Sequence, residues 1–190
     1  MLGYERLKEE AQKLIPLLRG YLWHTTSVDG FREIYSQSSI KVNRGDLPKA
    51  YTQSQCSNCF EEGAISLFDL ITHRDKDLIG EDLLLLDKWP EVMFRHRPTI
   101  FLGIELGSVA SNLLFYPELK RRRGLGGIIP RIEVCHVGDI PFQLIKKIGV
   151  CHEEAISNIV FYSTVGDAVS SLLASTARRL SANIEGSPDV

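Results

Sequence analysis

The segment around Glu133 carries the clearest candidate for chemistry in this sequence. Residues Arg131 to His136 alternate between polar and apolar types, and this period of two predicts a β-strand with Glu133 between Ile132 and Val134. A carboxylate on such a strand can stabilise positive charge that develops during a reaction. A glutamate with apolar neighbours also occurs on the solvated face of ordinary strands, so Glu133 alone does not define a site.

Two further polar residues lie on predicted strands. His24 follows Trp23 and precedes two threonines in a short β-prone stretch, and Ser66 lies in the small and apolar run Gly63–Asp69. A histidine can bind a hydroxyl group or transfer a proton, and a serine can orient a carboxylate. Taken singly, each residue is also explained as a hydrogen-bonded group of the core.

Cysteine chemistry is the second possibility. Because the N-terminus is charged and has no apolar secretory segment, we expect free thiols and no disulfide framework. Cys56 and Cys59 form a Cys-x-x-Cys pair, but Cys135 and Cys151 do not complete the spacing of a four-ligand zinc site. No metal is therefore expected. A small metal-binding module or a redox dithiol built on Cys56 and Cys59 is kept as an alternative.

A basic run, Lys120, Arg121, Arg122 and Arg123, precedes the glycine-rich segment Gly124–Gly127. The glycines have no predicted strand before them and no helix after them, so they do not match a dinucleotide-binding turn. The basic side chains could contact the phosphates of a nucleic acid, although runs of charge are more often solvated surface. The sequence contains no Gly-x-Ser-x-Gly elbow and no cysteine-protease signature, which argues against those classes of hydrolase.

Length and composition favour one globular domain over residues 1–190. Hydrophobic residues make up 44% of the chain and charged residues 24%, and a formal net charge of -2 gives no general attraction for nucleic acid or membranes. No window reaches the roughly 18 apolar residues of a membrane-spanning helix. With no membrane segment and no leader, we expect a cytoplasmic protein.

Helices are predicted at both ends of the chain. Apolar residues recur at helical spacing over 1–19, with a kink or restart at Pro16, and again over 167–185. Between these helices, short strands alternate with short helices and with a long loop over 43–60. Irregular connections between short strands predict an α+β fold with mixed or antiparallel strands.

Three segments, taken in chain order, carry a resemblance to a known superfamily. They are Leu22–Ile34, Gly63–Phe68 and Arg131–Ile145. The first is a strand with His24 followed by a short helix, and the last is a strand with Glu133 that runs into an Ile-Pro helix start. This arrangement resembles the ADP-ribosyltransferase superfamily, nearest the DNA-modifying toxins of bacterial toxin–antitoxin pairs. The resemblance implies a split sheet, NAD as a substrate, and an antitoxin or immunity protein as a partner.

The resemblance also implies roles for the motif residues. Glu133 would stabilise the oxocarbenium-like state in which the nicotinamide–ribose bond of NAD breaks, and His24 would bind a ribose hydroxyl. Backbone groups beside Thr25 would hold the nicotinamide amide, and Ser66 would support the glutamate or the ribose. Arg44 is a candidate for binding the pyrophosphate on chemical grounds alone, without a motif match. The same grounds give three candidates for stacking on the nicotinamide ring, Phe68, Tyr51 and Tyr35.

The chain departs from the family pattern in two places. Arg131 occupies the position, two residues before the glutamate, where arginine-modifying members carry a second acid, so an arginine acceptor is disfavoured. The middle strand lacks the full Ser-Thr-Ser pattern. The predicted function is NAD-dependent transfer of ADP-ribose to a macromolecular acceptor, with nucleic acid as one candidate. The alternatives are an inactive nucleotide- or partner-binding relative and, less favoured, the metal-binding module.

Overall fold

A computed structural model of the chain describes residues 16–45, 58–71, 98–115, 118, 121, 132–151 and 159–172. The strands are β1 (Leu22–Thr26), β2 (Ser39–Ile40), β3 (Ala64–Asp69), β4 (Thr99–Ile104), β5 (Leu113–Leu114), β6 (Glu133–Val137), β7 (Ile140–Pro141), β8 (Ile145–Cys151) and β9 (Ile159–Tyr162). The helices are α1 (Val28–Ser36), α2 (Asn58–Glu61) and α3 (Leu106–Val109), and 3-10 turns span Ala110–Asn112 and Phe142–Leu144. Residues 16–18 and 165–172 are also helical.

Seven strands form one sheet in the order β5-β6-β3-β1-β4-β8-β9, and β2 pairs with β7 in a separate ribbon. Every strand pairing among the described residues is antiparallel. The predicted α+β class is therefore confirmed. The three strands that carry His24, Ser66 and Glu133 are consecutive in this sheet, in the order β1, β3 and β6.

Strands β1 and β3 are paired over only two residues of β1. β1 pairs with β4 along all five of its residues, but it pairs with β3 only through Leu22 and Trp23. Beyond Trp23 the backbone ladder between β1 and β3 does not continue. A gap in a ladder leaves peptide groups that need other partners, and this position is therefore where side chains can enter the sheet.

The two faces of the sheet differ in what covers them. One face, here called the core face, packs its aliphatic residues against Phe31 and Ile34 of α1 and against Ala168 and Leu172 of the 165–172 helix. The sheet residues of this face include Leu22, Ile65, Leu67, Ile100, Leu102, Val134 and Ile148. Because successive side chains of a strand alternate, the residues between them lie on the opposite face.

That opposite face, here called the aromatic face, is built around Trp23. Its ring centroid lies 6.3 Å from that of Phe101 and 5.9 Å from that of Phe161. Gly103 is the Cα partner of Trp23 on β4, and a Cβ added to it would approach the indole ring to 3.0 Å. Glycine is therefore needed at Gly103 because the tryptophan ring lies directly over its backbone.

Helix α1 follows β1 directly and is capped by its own sequence. The hydroxyl of Ser27 accepts a hydrogen bond from the backbone of Gly30 at 3.0 Å, as expected of a serine at an N-cap. Phe31 and Ile34, three residues apart, are buried against the sheet. This short connection fixes the end of β1 and thereby the position of the residues that precede it.

Several predicted elements are altered or only partly described. The loop predicted over 43–60 contains the start of α2, and the Ile140-Pro141 helix start is instead a two-residue strand that leads into a 3-10 turn. Of the predicted terminal helices, 16–18 and 165–172 are helical, and the remainder lies outside the described residues. No helix within the described part of the chain is long and apolar enough to cross a membrane.

Candidate functional site

Glu133 and Ser66 meet across the boundary between β6 and β3. The Cα partner of Glu133 is Phe68, two residues beyond Ser66 on the same face of β3. Ser66 Oγ donates a hydrogen bond to Glu133 Oε1 at 2.5 Å, and the glutamate is only 8% exposed. A buried carboxylate needs hydrogen-bond donors, and a bond to a charged acceptor is stronger than one between neutral groups. The predicted surface explanation for Glu133 is therefore wrong.

The imidazole of His24 contacts the backbone of the same serine. The imidazole Nδ1 lies 3.1 Å from the carbonyl oxygen of Ser66. The backbone N–H of Asp69 donates to the carbonyl of Ile132, so at this position β3 faces β6. Because the backbone groups of successive strand residues point to alternate sides, the carbonyl of Ser66, three residues earlier, points toward β1. Because a carbonyl only accepts, Nδ1 must carry a proton. His24 thus supplies a donor where the β1–β3 ladder has ended.

Ser66 connects His24 and Glu133, whose side chains start on opposite faces of the sheet. His24 is the Cα partner of Leu102 and starts on the core face, whereas Glu133 lies in the cross-strand row of Phe68 and Trp23 on the aromatic face. The carbonyl of Ser66 accepts a hydrogen bond from the imidazole, and its hydroxyl donates one to the carboxylate. The three predicted residues are thus joined by two hydrogen bonds.

Thr25 shares the aromatic face with Glu133. Its Cα partner is Phe101, and its side chain is half-buried. Phe68, the predicted ring-stacking residue, is buried on that face beside Glu133. Glu133 and Phe68 are thus buried on this face, whereas Thr25 is partly accessible to solvent.

A disulfide adjoins the Ser66–Glu133 pair. Cys59 of α2 is bonded to Cys135 of β6, with the two Cα atoms 5.3 Å apart. Cys59 Sγ lies 3.9 Å from Glu133 Oε1. The expectation of free thiols is therefore wrong for these two residues, and the Cys-x-x-Cys partner Cys56 lies outside the described residues. Sequence spacing could not reveal this pairing because 76 residues separate the two cysteines.

Two other predicted ligands of NAD lie elsewhere. Arg44 is exposed in the segment after β2, near Asp139. Tyr35 is about half exposed on α1, where it packs edge-on against Phe142 at 5.6 Å between centroids. No described contact links either residue to Glu133. Tyr51 is outside the described residues.

Asp139 is a structural residue that the sequence did not single out. Its carboxylate accepts hydrogen bonds from Lys41 Nζ and from the backbone of Val42, each at 2.9 Å. The bond from Lys41 and that from Val42 hold the pKa of Asp139 below its ordinary value, with further help from the positive charge of Arg44. Asp139 therefore anchors the segment that carries Arg44 to the turn after β6.

The described residues include one member of the basic run and one cysteine of the metal alternative. Arg121 is exposed, and Lys120, Arg122 and Arg123 lie outside the described residues. Within the described ranges, no three histidine, cysteine or acidic side chains are grouped so that they could hold a metal ion. Cys59, one residue of the proposed metal module, is occupied by its bond to Cys135.

Comparisons of the chain with models of known families, with curated proteins and with solved structures find no match.

Proposed function

We propose that this protein cleaves the nicotinamide–ribose bond of NAD and transfers ADP-ribose to a macromolecular acceptor. The observation that supports this proposal best is the hydrogen bond from Ser66 to the buried Glu133, with His24 bonded to the same serine. These are the three residues that the resemblance to ADP-ribosyltransferases singles out, and they lie on three consecutive strands.

Glu133 would act on the bond that breaks. As neutral nicotinamide leaves, positive charge develops on the ribose, and a carboxylate beside it lowers the energy of that state. Such stabilisation is larger where water is excluded, and Glu133 is buried beside its cross-strand partner Phe68. Ser66 would keep the carboxylate in one orientation, so that little reorganisation is needed during the reaction.

His24 would bind the substrate ribose. With its Nδ1 proton donated to the carbonyl of Ser66, a neutral imidazole presents Nε2 as an acceptor. That acceptor suits a ribose hydroxyl. The side chain of Thr25 lies on the same face as Glu133. Backbone groups beside Thr25 would hold the nicotinamide amide.

The two-residue ladder between β1 and β3 supports an ADP-ribosyltransferase-like split sheet as the fold. Such a fold divides its sheet to open a cleft for NAD, and the ladder between β1 and β3 ends after Trp23, directly before His24. In this proposal the nicotinamide end of the substrate enters at that division.

Nucleic acid is the acceptor class that we place first. Arg131 replaces the acid found in arginine-modifying relatives, which disfavours an arginine acceptor. The basic run from Lys120 to Arg123 would contact phosphates, and Arg121 is exposed as this role requires. An antitoxin or immunity protein would then be expected to restrain the enzyme.

The decisive experiment is nicotinamide release from NAD, measured by chromatography, for the wild-type protein and Glu133→Gln. We expect Glu133→Gln to reduce the rate by a factor of about 10² to 10³, the size typical of losing one transition-state contact. Glu105→Gln, which changes an exposed glutamate next to α3, is the matched control and should retain the wild-type rate.

Two other outcomes would replace the proposal. Tight NAD binding by calorimetry without any nicotinamide release would identify an inactive nucleotide-binding relative. Neither binding nor release would reject NAD as the substrate. The acceptor is tested separately by incubating radiolabelled NAD with DNA, RNA or protein and following which fraction becomes labelled.

A further inference from the structure

Glu133 Oε1 faces a sulfur atom as well as a hydroxyl. Ser66 Oγ lies 2.5 Å from this oxygen, and Cys59 Sγ lies 3.9 Å from it. A thiol at that distance is a weak hydrogen-bond donor. When Cys59 is bonded to Cys135, however, its sulfur carries no proton and cannot donate.

The two redox forms of the cysteine pair therefore present the carboxylate with different partners. A reduced Cys59 thiol at this position can donate to Glu133 Oε1 beside the Ser66 hydroxyl, whereas the disulfide sulfur cannot. Cys59 and Cys135 are at most 1% exposed and Glu133 is 8% exposed, so bulk water has little access to replace the lost donor. A donor lost from a buried carboxylate has a larger effect than one lost at a surface.

We propose that the Cys59–Cys135 pair is a redox switch that adds or removes one hydrogen-bond donor at Glu133. Cys59 is a positioning residue in this scheme, since it acts on the carboxylate and does not touch a substrate. The effect on the carboxylate is independent of the proposed NAD chemistry, and only its consequence for the rate of NAD cleavage rests on that proposed function.

The chemistry of the switch is thiol–disulfide exchange with a small-molecule disulfide. The Cys59 thiolate attacks that disulfide and expels one small thiolate, and the Cys135 thiolate then attacks the Cys59 sulfur and expels the second. Two electrons and two protons pass from the protein, and the small disulfide becomes two thiols. Reduction by a dithiol reverses both steps.

Cys59 and Cys135 are buried, so a small disulfide or dithiol reaches the sulfurs only when the structure around α2 opens locally. This helix has four residues, Asn58–Glu61, and it packs against β3 and β6. A single helical turn has few contacts to break, so its local opening costs less than global unfolding. We therefore expect exchange under native conditions, at a rate below that of an exposed disulfide.

The direct test is the carbon-13 resonance of the Glu133 side-chain carboxyl in protein labelled at glutamate. Spectra of the oxidised protein and of the protein reduced with dithiothreitol are compared at one pH, and the signal is assigned by its loss in Glu133→Gln. We expect the Glu133 resonance to differ between the two forms, while the resonance of the exposed Glu105 stays unchanged. Peptide mapping after alkylation verifies the Cys59–Cys135 bond.

Two variants separate the donor from the cross-link, both in a Cys56→Ala background so that Cys59 has no alternative partner nearby in the sequence. Cys135→Ser cannot form the disulfide but keeps the Cys59 thiol, so it should give the reduced-form signal in either buffer. Cys59→Ala removes both the donor and the cross-link, so it should differ from the reduced form in either buffer. Cys151→Ser, a change of a buried cysteine on β8, should leave the switch intact.

Three results would overturn the switch. They are oxidised-form signals from Cys135→Ser, identical Glu133 resonances in the two wild-type forms, and absence of the Cys59–Cys135 peptide after oxidation. If NAD is cleaved, its rate should change about two- to tenfold between the two forms, the effect of one hydrogen bond. If NAD is cleaved in neither form but the resonance still responds, the proposed function fails and the switch stands.

Discussion

The hydroxyl of Ser66 donates to Oε1 of Glu133 at 2.5 Å across the β3–β6 boundary. This contact exists because Ser66 and Phe68 share a face of β3 and Phe68 is the Cα partner of Glu133. The carboxylate is therefore positioned by a neighbouring strand and not by its own. Its orientation depends on the register of the sheet as much as on the side chains.

Replacing Ser66 by alanine should destabilise the protein and impair the site. The buried carboxylate would lose its strongest described donor, and we expect a loss of about 1–3 kcal/mol in the free energy of unfolding. Urea unfolding monitored by tryptophan fluorescence measures this loss. Ser108→Ala, at an exposed position on α3, serves as the control and should change stability by less than about 0.5 kcal/mol. Equal effects of the two changes would contradict the importance of the Ser66 bond.

His24 should carry its proton on Nδ1. Long-range proton–nitrogen spectra at neutral pH distinguish the two tautomers, and an Nε2–H tautomer would contradict the bond to the Ser66 carbonyl. His24→Asn places an amide N–H close to the position of Nδ1, so it should retain more stability than His24→Ala. If His24 also binds ribose through Nε2, both variants should lose NAD affinity equally, because neither side chain has an acceptor at that position.

The strands of the candidate site could be predicted from the sequence, but their neighbours could not. Residue type predicted β1 at Leu22–Thr26 and β3 within Gly63–Asp69, alternation predicted most of β6 at Glu133–Val137, and these strands are confirmed. The strand order that makes β6, β3 and β1 consecutive depends on long-range packing, on which local alternation carries no information. The bond between Ser66 and Glu133 could therefore be anticipated only through the resemblance.

The errors arose from long-range contacts. The sequence predicts Cys59 in a loop and paired with Cys56, because no local pattern reveals a partner 76 residues away. No local pattern marks Asp139, because its two donors, Lys41 and Val42, precede it by nearly a hundred residues. In both cases a tertiary contact determined the role of the residue.

Asp139 should make the stability of the protein depend on pH. Its pKa is lowered from the ordinary value of 3.8, first by the hydrogen bond from Lys41. A lowered folded-state pKa means that the stabilisation is present above about pH 4 and is lost as the pH falls from 3.8 through the folded-state value. Both side chains are about two-fifths exposed, so solvent screening limits the effect of their ion pair to at most about 1 kcal/mol. Asp139→Asn should flatten this part of the stability profile, which urea unfolding at a series of pH values measures.

The packing of Trp23 on Gly103 gives the sharpest prediction for the fold. A Cβ at Gly103 would lie 3.0 Å from the indole carbons and 3.2 Å from Lys147 Cβ, so Gly103→Ala must displace the tryptophan or bend β4. We expect a loss of about 1–3 kcal/mol in the free energy of unfolding, together with a change in tryptophan fluorescence. Gly107→Ala adds the same methyl group on α3, where nothing lies within 4 Å, and should be neutral or stabilising by up to about 1 kcal/mol. Because Trp23 and Glu133 are both cross-strand partners of Phe68, Gly103→Ala should also weaken NAD cleavage if Glu133 is the catalytic carboxylate. Unchanged stability in Gly103→Ala would show that the ring does not lie over β4 in solution.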